Sequence, residues 1–138
     1  MAAQYNLSAL SAGLLLYDLL KDSEELKQAG CKKVFPVVSE AGAELPYICY
    51  RRGATDWREV KDGSAANTTT MEIGCFASTY AASVHLAEIV RELLDGTQVT
   101  YTDGNATLRA RSIALVDSEE SWQDDAYVQM LNFEFKLN

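Results

Sequence analysis

Leu7, Leu10, Leu14 and Tyr17 recur at three- and four-residue spacings, with Leu15 and Leu19 beside them and Lys21 near the end. That spacing predicts an amphipathic helix over residues 7–21 with these side chains on its buried face. Glu24 to Gln28 adds a short helical turn before Gly30, whose freedom at positive φ suits a stop. Lys33 to Val38 is a β-prone run interrupted by Pro36, which cannot donate to a ladder and therefore predicts an edge strand or a bend. After the turn-rich stretch Glu40 to Glu44, Pro46 leads into Tyr47-Ile48-Cys49-Tyr50-Arg51-Arg52, a β-branched and aromatic run expected to be a strand half-buried on each face. Gly53 to Asn67 is polar, contains Asp62 and Gly63 and carries an isolated Trp57, the pattern of a long loop or a loosely held hairpin tip.

The alternation is cleanest from Thr68 to Phe76, where Met71, Ile73 and Cys75 fall on one side of a pleat and Thr70, Glu72 and Gly74 on the other. Ser78 or Thr79 can accept from the free amides of a following helix. Tyr80, Val84, Ala87, Val90 and Leu94 form its expected buried stripe, widened by Leu86, Ile89 and Leu93, and Gly96 closes it. Strands follow over Gln98–Thr102, Thr107–Val116 and Tyr127–Leu137, the first two joined by a turn at Asp103-Gly104-Asn105. In the last run Leu131, Phe133, Phe135 and Leu137 alternate with Asn132, Glu134, Lys136 and Asn138, one face core and the other wet. The order helix, strands, helix, strands predicts an α+β fold, a single mostly antiparallel β-sheet with two α-helices packed on one face, in one domain spanning residues 1–138.

Composition narrows what such a domain does. The chain has 138 residues, 48% of them hydrophobic, enough for one core. Twelve Lys plus Arg against twenty Asp plus Glu give a formal charge of -8, a field that repels phosphate and disfavours non-specific adhesion to DNA or to an anionic membrane. No run approaches the roughly 20 apolar residues of a spanning helix. The apolar stretch Leu14 to Leu16 lacks a basic segment before it, so no signal peptide is expected and an intracellular origin follows. Cys31, Cys49 and Cys75 are odd in number and lack CxxC spacing, which predicts reduced, mostly packed thiols rather than a disulfide framework or a zinc site.

Candidate chemistry is sparse. His85 shares a helix stripe with Ala81, Glu88 and Glu92, away from the apolar face, and no Ser or Cys motif surrounds it, so a solvated helix residue is the expectation. Asp117, Glu119, Glu120, Asp124 and Asp125 lack calcium-loop spacing and a turn glycine, and are expected to form a solvated connection. Trp122 inside that stretch would either cap the edge of the core or meet a partner. Arg51 and Arg52 with Trp57 and Arg58 form a second notable cluster, because Arg and Trp are enriched among interface hot spots; salt pairing within the chain is the plainer account. Phosphate-binding glycine loops and nucleophile elbows are absent from the sequence. No catalytic, cofactor-binding or metal residue is expected, and the candidate subunit-interface residues are Arg51, Arg52, Trp57, Arg58 and Trp122.

Lys33-Val34-Phe35-Pro36, Leu45-Pro46-Tyr47-Ile48-Cys49-Tyr50, Glu72-Ile73-Gly74-Cys75-Phe76-Ala77-Ser78-Thr79-Tyr80, Leu86-Ala87-Glu88-Ile89-Val90-Arg91 and Leu94-Asp95-Gly96 follow one another in an order and spacing that resembles the bacteriophage tail-completion (tail-to-head joining, tail-terminator-like) protein family. The resemblance implies a small α+β subunit that forms a homo-oligomeric ring, a hexamer in the expected form, at the junction of the tail tube with the head connector. It implies tail-tube and head-connector proteins as partners, DNA only as passing cargo, no membrane, no cofactor and no catalysis, in a virion tail assembled in the bacterial cytoplasm. Loops such as Gly53 to Asn67 would then meet neighbouring subunits. The competing expectations are an α+β adaptor that binds one partner without closing a ring, and an enzyme, which would need a deep pocket lined by perturbed titratable groups.

Overall fold

The computed structural model describes residues 7–58 and 67–137. A turn of 3-10 helix at Ala9–Ser11 runs into α1 (Ala12–Leu20), followed by α2 (Glu24–Gln28), β1 (Val34–Pro36), β2 (Tyr47–Asp56), β3 (Asn67–Ala77), α3 (Tyr80–Leu94), β4 (Val99–Asp103), β5 (Ala106–Gln123) and β6 (Ala126–Leu137). The strands form one six-stranded sheet in the order β1-β2-β3-β6-β5-β4. Among the described strands only the β1–β2 pair is parallel. The sheet curls so that α1 touches β1, β2 and β3 and also the far strand β4, while α3 lies on β3, β5 and β6. The α+β fold with two substantial helices on one face of a mostly antiparallel sheet is therefore present.

Period-two alternation decides what each face buries. Ile48 and Tyr50 of β2, Met71, Ile73 and Cys75 of β3, Leu131, Phe133 and Phe135 of β6, and Leu108, Ala110 and Ile113 of β5 join the helices in the main core. On the opposite face Phe35, Tyr47, Phe76, Ala126 and Val128 form a smaller cluster, with Ala43 and Leu45 from the β1–β2 connection packed on it. Tyr47 stacks on Phe76 at 4.8 Å between centroids. The Leu45–Pro46 bond is cis. Gly74 sits beneath this cluster, where an added Cβ would lie 2.9 Å from a Phe76 ring carbon.

Capping follows the residue types. Ser23 accepts from the Leu26 amide at the start of α2, and Thr79 accepts from the Ala82 amide at the start of α3. Gly30 and Gly96 stand at positive φ after α2 and α3, as their places in the sequence predict.

Four expectations are corrected. First, α1 is rotated: Ala12, Leu15, Leu16 and Leu20 are buried, whereas Leu10, Leu14 and Tyr17 are 63%, 50% and 41% exposed. Both stripes have helical spacing, and the sheet accepts the one whose small members, Ala9 and Ala12, allow close approach. Second, Tyr80 and Val84 lie at the margin of α3, and Ser83 takes the buried place, its hydroxyl donating to the Tyr80 carbonyl at 2.7 Å. Third, Gly53–Asp56 continue β2 past a bulge and Asn67 opens β3, so the expected loop Gly53 to Asn67 is shorter than its polarity suggested. Its centre, residues 59–66, lies outside the described residues. Fourth, Asp117 to Gln123 is strand rather than connection. It continues β5 past a second bulge and pairs with β6 as far as Gln123–Ala126. Asp124 and Asp125, at φ 51° and 58°, make the two-residue turn that a tight hairpin requires.

Candidate functional site

The predicted interface residues divide between the two sides of the sheet. Arg51 points to the face opposite the helices and pairs with Glu72 of β3 at 2.8 Å. Arg52 points the other way, is exposed, and donates to the Thr55 hydroxyl at 2.9 Å. Trp57 is 51% exposed just beyond the end of β2. The Arg58 guanidinium meets Asp56 at 3.0 Å, and its amide donates to the Asn67 side chain at 2.8 Å. These four residues share the β2 side of the sheet, and Trp122 lies apart from them near the end of β5.

Beside β2 the chain turns away early. β1 covers β2 only at Ile48–Tyr50. Val37 then donates its amide to the Tyr50 carbonyl at 2.6 Å while adopting φ 66°, a costly conformation for a β-branched residue. Val37 and Val38 are 71% and 72% exposed at this corner. From Arg51 to Asp56 no strand among the described residues pairs with the outer edge of β2.

A matching situation exists on β5. β4 pairs with β5 only at Ala106–Ala110. The end of α3 then uses the next edge groups: Gly96 donates to the Ile113 carbonyl at 2.8 Å and Leu115 donates to Asp95 at 3.0 Å. Beyond this point every residue from Val116 to Gln123 is exposed, and no described strand lies alongside its outer edge.

On the helix-bearing face of this arm, Trp122 meets Tyr127 edge-on at 4.9 Å and Tyr127 meets Tyr80 of α3 at 5.9 Å. Trp122, at 57% exposed, belongs to neither core cluster. Gln129 and the Tyr80 hydroxyl donate to the same Glu120 oxygen at 3.0 and 2.8 Å. These donors, Gln129 first, hold the Glu120 carboxyl below the usual carboxylate range, and the bond to Glu120 raises Tyr80. On the other face Asn132 donates to Asp117. From Ser112 to Ala126 the sequence holds five acids, Asp117, Glu119, Glu120, Asp124 and Asp125, and no base.

The remaining chemistry-bearing groups stay dispersed. His85 is exposed on α3 beside Glu88 and Glu92, as the helix register predicts. Cys31, Cys49 and Cys75 are free thiols, and burial raises all three above the ordinary thiol range. Burial likewise pushes Tyr50 up to about 12. Among the described residues no three His, Cys, Asp or Glu side chains converge as a metal site, and no helix is long and apolar enough to cross a membrane.

No family model and no curated protein matches this chain. Among solved structures, a chain described as "Virion of native gene transfer agent (GTA) particle" is similar with a TM-score of 0.72 at 18% identity, over 94% of this chain and 98% of that one. This fold occurs in a virion. The correspondence runs nearly end to end in both chains. Among the described residues two sheet edges are left uncovered, one on β2 carrying Arg51, Arg52 and Asp56 and one on β5 carrying acids alone.

Proposed function

We propose that this chain is a non-catalytic structural subunit of a tailed phage or prophage-derived particle, forming a homo-oligomeric ring where the tail tube meets the head connector. The observation that carries the proposal is the end-to-end fold likeness to a virion chain, at 94% and 98% coverage. The sequence resemblance to tail-completion proteins supports the finer placement at the tail–head junction. The distribution of exposed apolar side chains supports the same reading. Leu10, Leu14 and Tyr17 lie on α1, Val37, Val38 and Trp57 beside β2, and Val116, Trp122, Tyr127 and Tyr80 on or against the β5–β6 arm. A closed ring needs two different patches per subunit, and such separation provides them. The charge of -8 suits a channel wall along which DNA passes without adhering.

The test is genetic and visual. Deleting the coding sequence from the phage or prophage that carries it is expected to give filled heads and free tails that do not join, seen by electron microscopy and restored by the gene in trans. Normal, joined, infectious particles from the deletion strain would overturn the proposal.

A further inference from the structure

The two uncovered edges are complementary to each other, and we propose that they pair between copies: the outer edge of β2, from Arg51 to Asp56, docks antiparallel on the outer edge of β5, from Val116 to Ser121, of a second copy of this chain. The inference rests on the ring reading above and assigns its interface.

Strand direction comes first. β2, β3, β6 and β5 are antiparallel in succession, so β5 runs opposite to β2 and the next copy's β2 enters antiparallel, continuing the alternation. An unpaired edge is a template for such addition. Charge then selects which edges meet. The β5 edge carries Asp117, Glu119 and Glu120 without a base, so two β5 edges repel one another, whereas the β2 edge carries Arg51 and Arg52, and its one acid, Asp56, is paired with Arg58.

Register follows from the side-chain faces. Within one subunit Glu120 lies in line with Ile48, through Gln129 and Cys75. Faces stay matched only if the second copy slides by an even number of residues. Sliding from Ile48 to Arg52 sets Arg52 opposite Glu120 on the helix-bearing face and Arg51 diagonal to Glu119 on the other. The slide is about 13 Å along the strand against about 19 Å across four strand spacings, a tilt of about 35°, within the range of strands in closed barrels. In the same register Trp122 and Gln123 come level with Tyr50 and Cys49, where β1 holds the edge, so ladder pairing ends at Ser121 and the tip of the arm turns aside with Trp122 against the exposed Val37–Val38 corner.

The test uses the full-length protein. Peptide-resolved amide exchange is measured from low micromolar to about millimolar concentration, together with mass by light scattering, for the wild type, R52E, E120R and the double variant. Circular dichroism checks that each variant folds. The expected result is concentration-dependent protection of both 51–56 and 116–121 with no change in β4, at least about tenfold weaker association for each single reversal, and recovery to within about threefold in the double variant. Association that leaves both segments unprotected and is indifferent to the reversals overturns the edge assignment and leaves the ring standing. A monomer at every concentration overturns both, because the paired edges are proposed to suffice for bringing copies together.

Discussion

The orientation of α1 gives a sharp test, because leucines two residues apart are predicted to behave differently. Leu16 is 0% exposed in the main core and Leu14 is 50% exposed. Truncating Leu16 removes buried methyl groups and leaves a cavity, at a cost of about 3 kcal/mol. Truncating Leu14 forfeits only part of a transfer term of roughly 2 kcal/mol, leaves no cavity, and regains a little from the helix propensity of alanine, for a net cost of about 0.5 kcal/mol. In urea, with a slope of about 1.5 kcal/mol per molar, L16A is expected to lower the unfolding midpoint by about 2 M and L14A by about 0.3 M. The measurement belongs at low micromolar protein, where association contributes little. Equal losses for the two variants, or a larger loss for L14A, would refute the helix orientation and restore the face on which Leu10, Leu14 and Tyr17 are buried.

Further expectations follow from particular contacts. Gly74→Val should destabilise by about 1–3 kcal/mol in urea melts, since its Cβ would approach a Phe76 ring carbon to 2.9 Å and the Met130 methyl to 3.3 Å in a packed layer; a neutral effect would mean that the cluster over the far face is loosely packed. Thr79→Ala should cost about 1 kcal/mol through the lost cap of α3, measured the same way. Glu120 has its carboxyl lowered by Gln129 and Tyr80, so the stability it contributes is present above the carboxylate's unfolded value and is lost as pH falls through its lower folded value. Protection factors in the β5–β6 arm, corrected for the slower intrinsic exchange at low pH, should therefore fall on acidification in the wild type and lose that decrement in E120Q; an identical pH profile of protection in both would contradict the contact. Cys75, 0% exposed with its thiol raised by burial, should resist alkylation in the native protein after Cys31 and Cys49 have reacted, and react once urea unfolds the chain; early labelling of Cys75 would place it outside the core.

The parts of the fold legible in the sequence are those where one face is dry and the other wet. β3 and β6 show this best: Met71, Ile73 and Cys75, and Leu131, Phe133 and Phe135, alternate with polar residues because they lie over the helices at the middle of the sheet. The arm of β5 was illegible for the opposite reason. From Val116 to Gln123 both faces are exposed, so no period-two signal distinguishes it from a solvated acidic loop. Only Asp124-Asp125, followed by the strand of β6, hinted at a hairpin turn. On α1 the larger side chains misled, since Leu10, Leu14 and Tyr17 outweigh Ala9 and Ala12 in any hydrophobic pattern although the small residues face the sheet.

The candidate interface was legible in its residue types and not in its arrangement. Arg51, Arg52, Trp57 and Arg58 are close in the chain and all lie on or just beyond β2, yet Arg51 and Arg52 face opposite sides of the sheet and each has its own partner. That Trp122 and the acids around it occupy the far side of the sheet depends on the strand order β1-β2-β3-β6-β5-β4, a long-range property that no local spacing encodes.

The central claim, a subunit that closes a ring by joining two different edges, is tested most directly by the mass of the purified protein, measured by light scattering behind size exclusion over a wide concentration range. The account predicts one discrete large species of ring size, in equilibrium with monomer and without a populated dimer. A stable dimer at all concentrations would contradict it, because a single self-complementary patch would then be the contact and the protein an adaptor rather than a ring subunit.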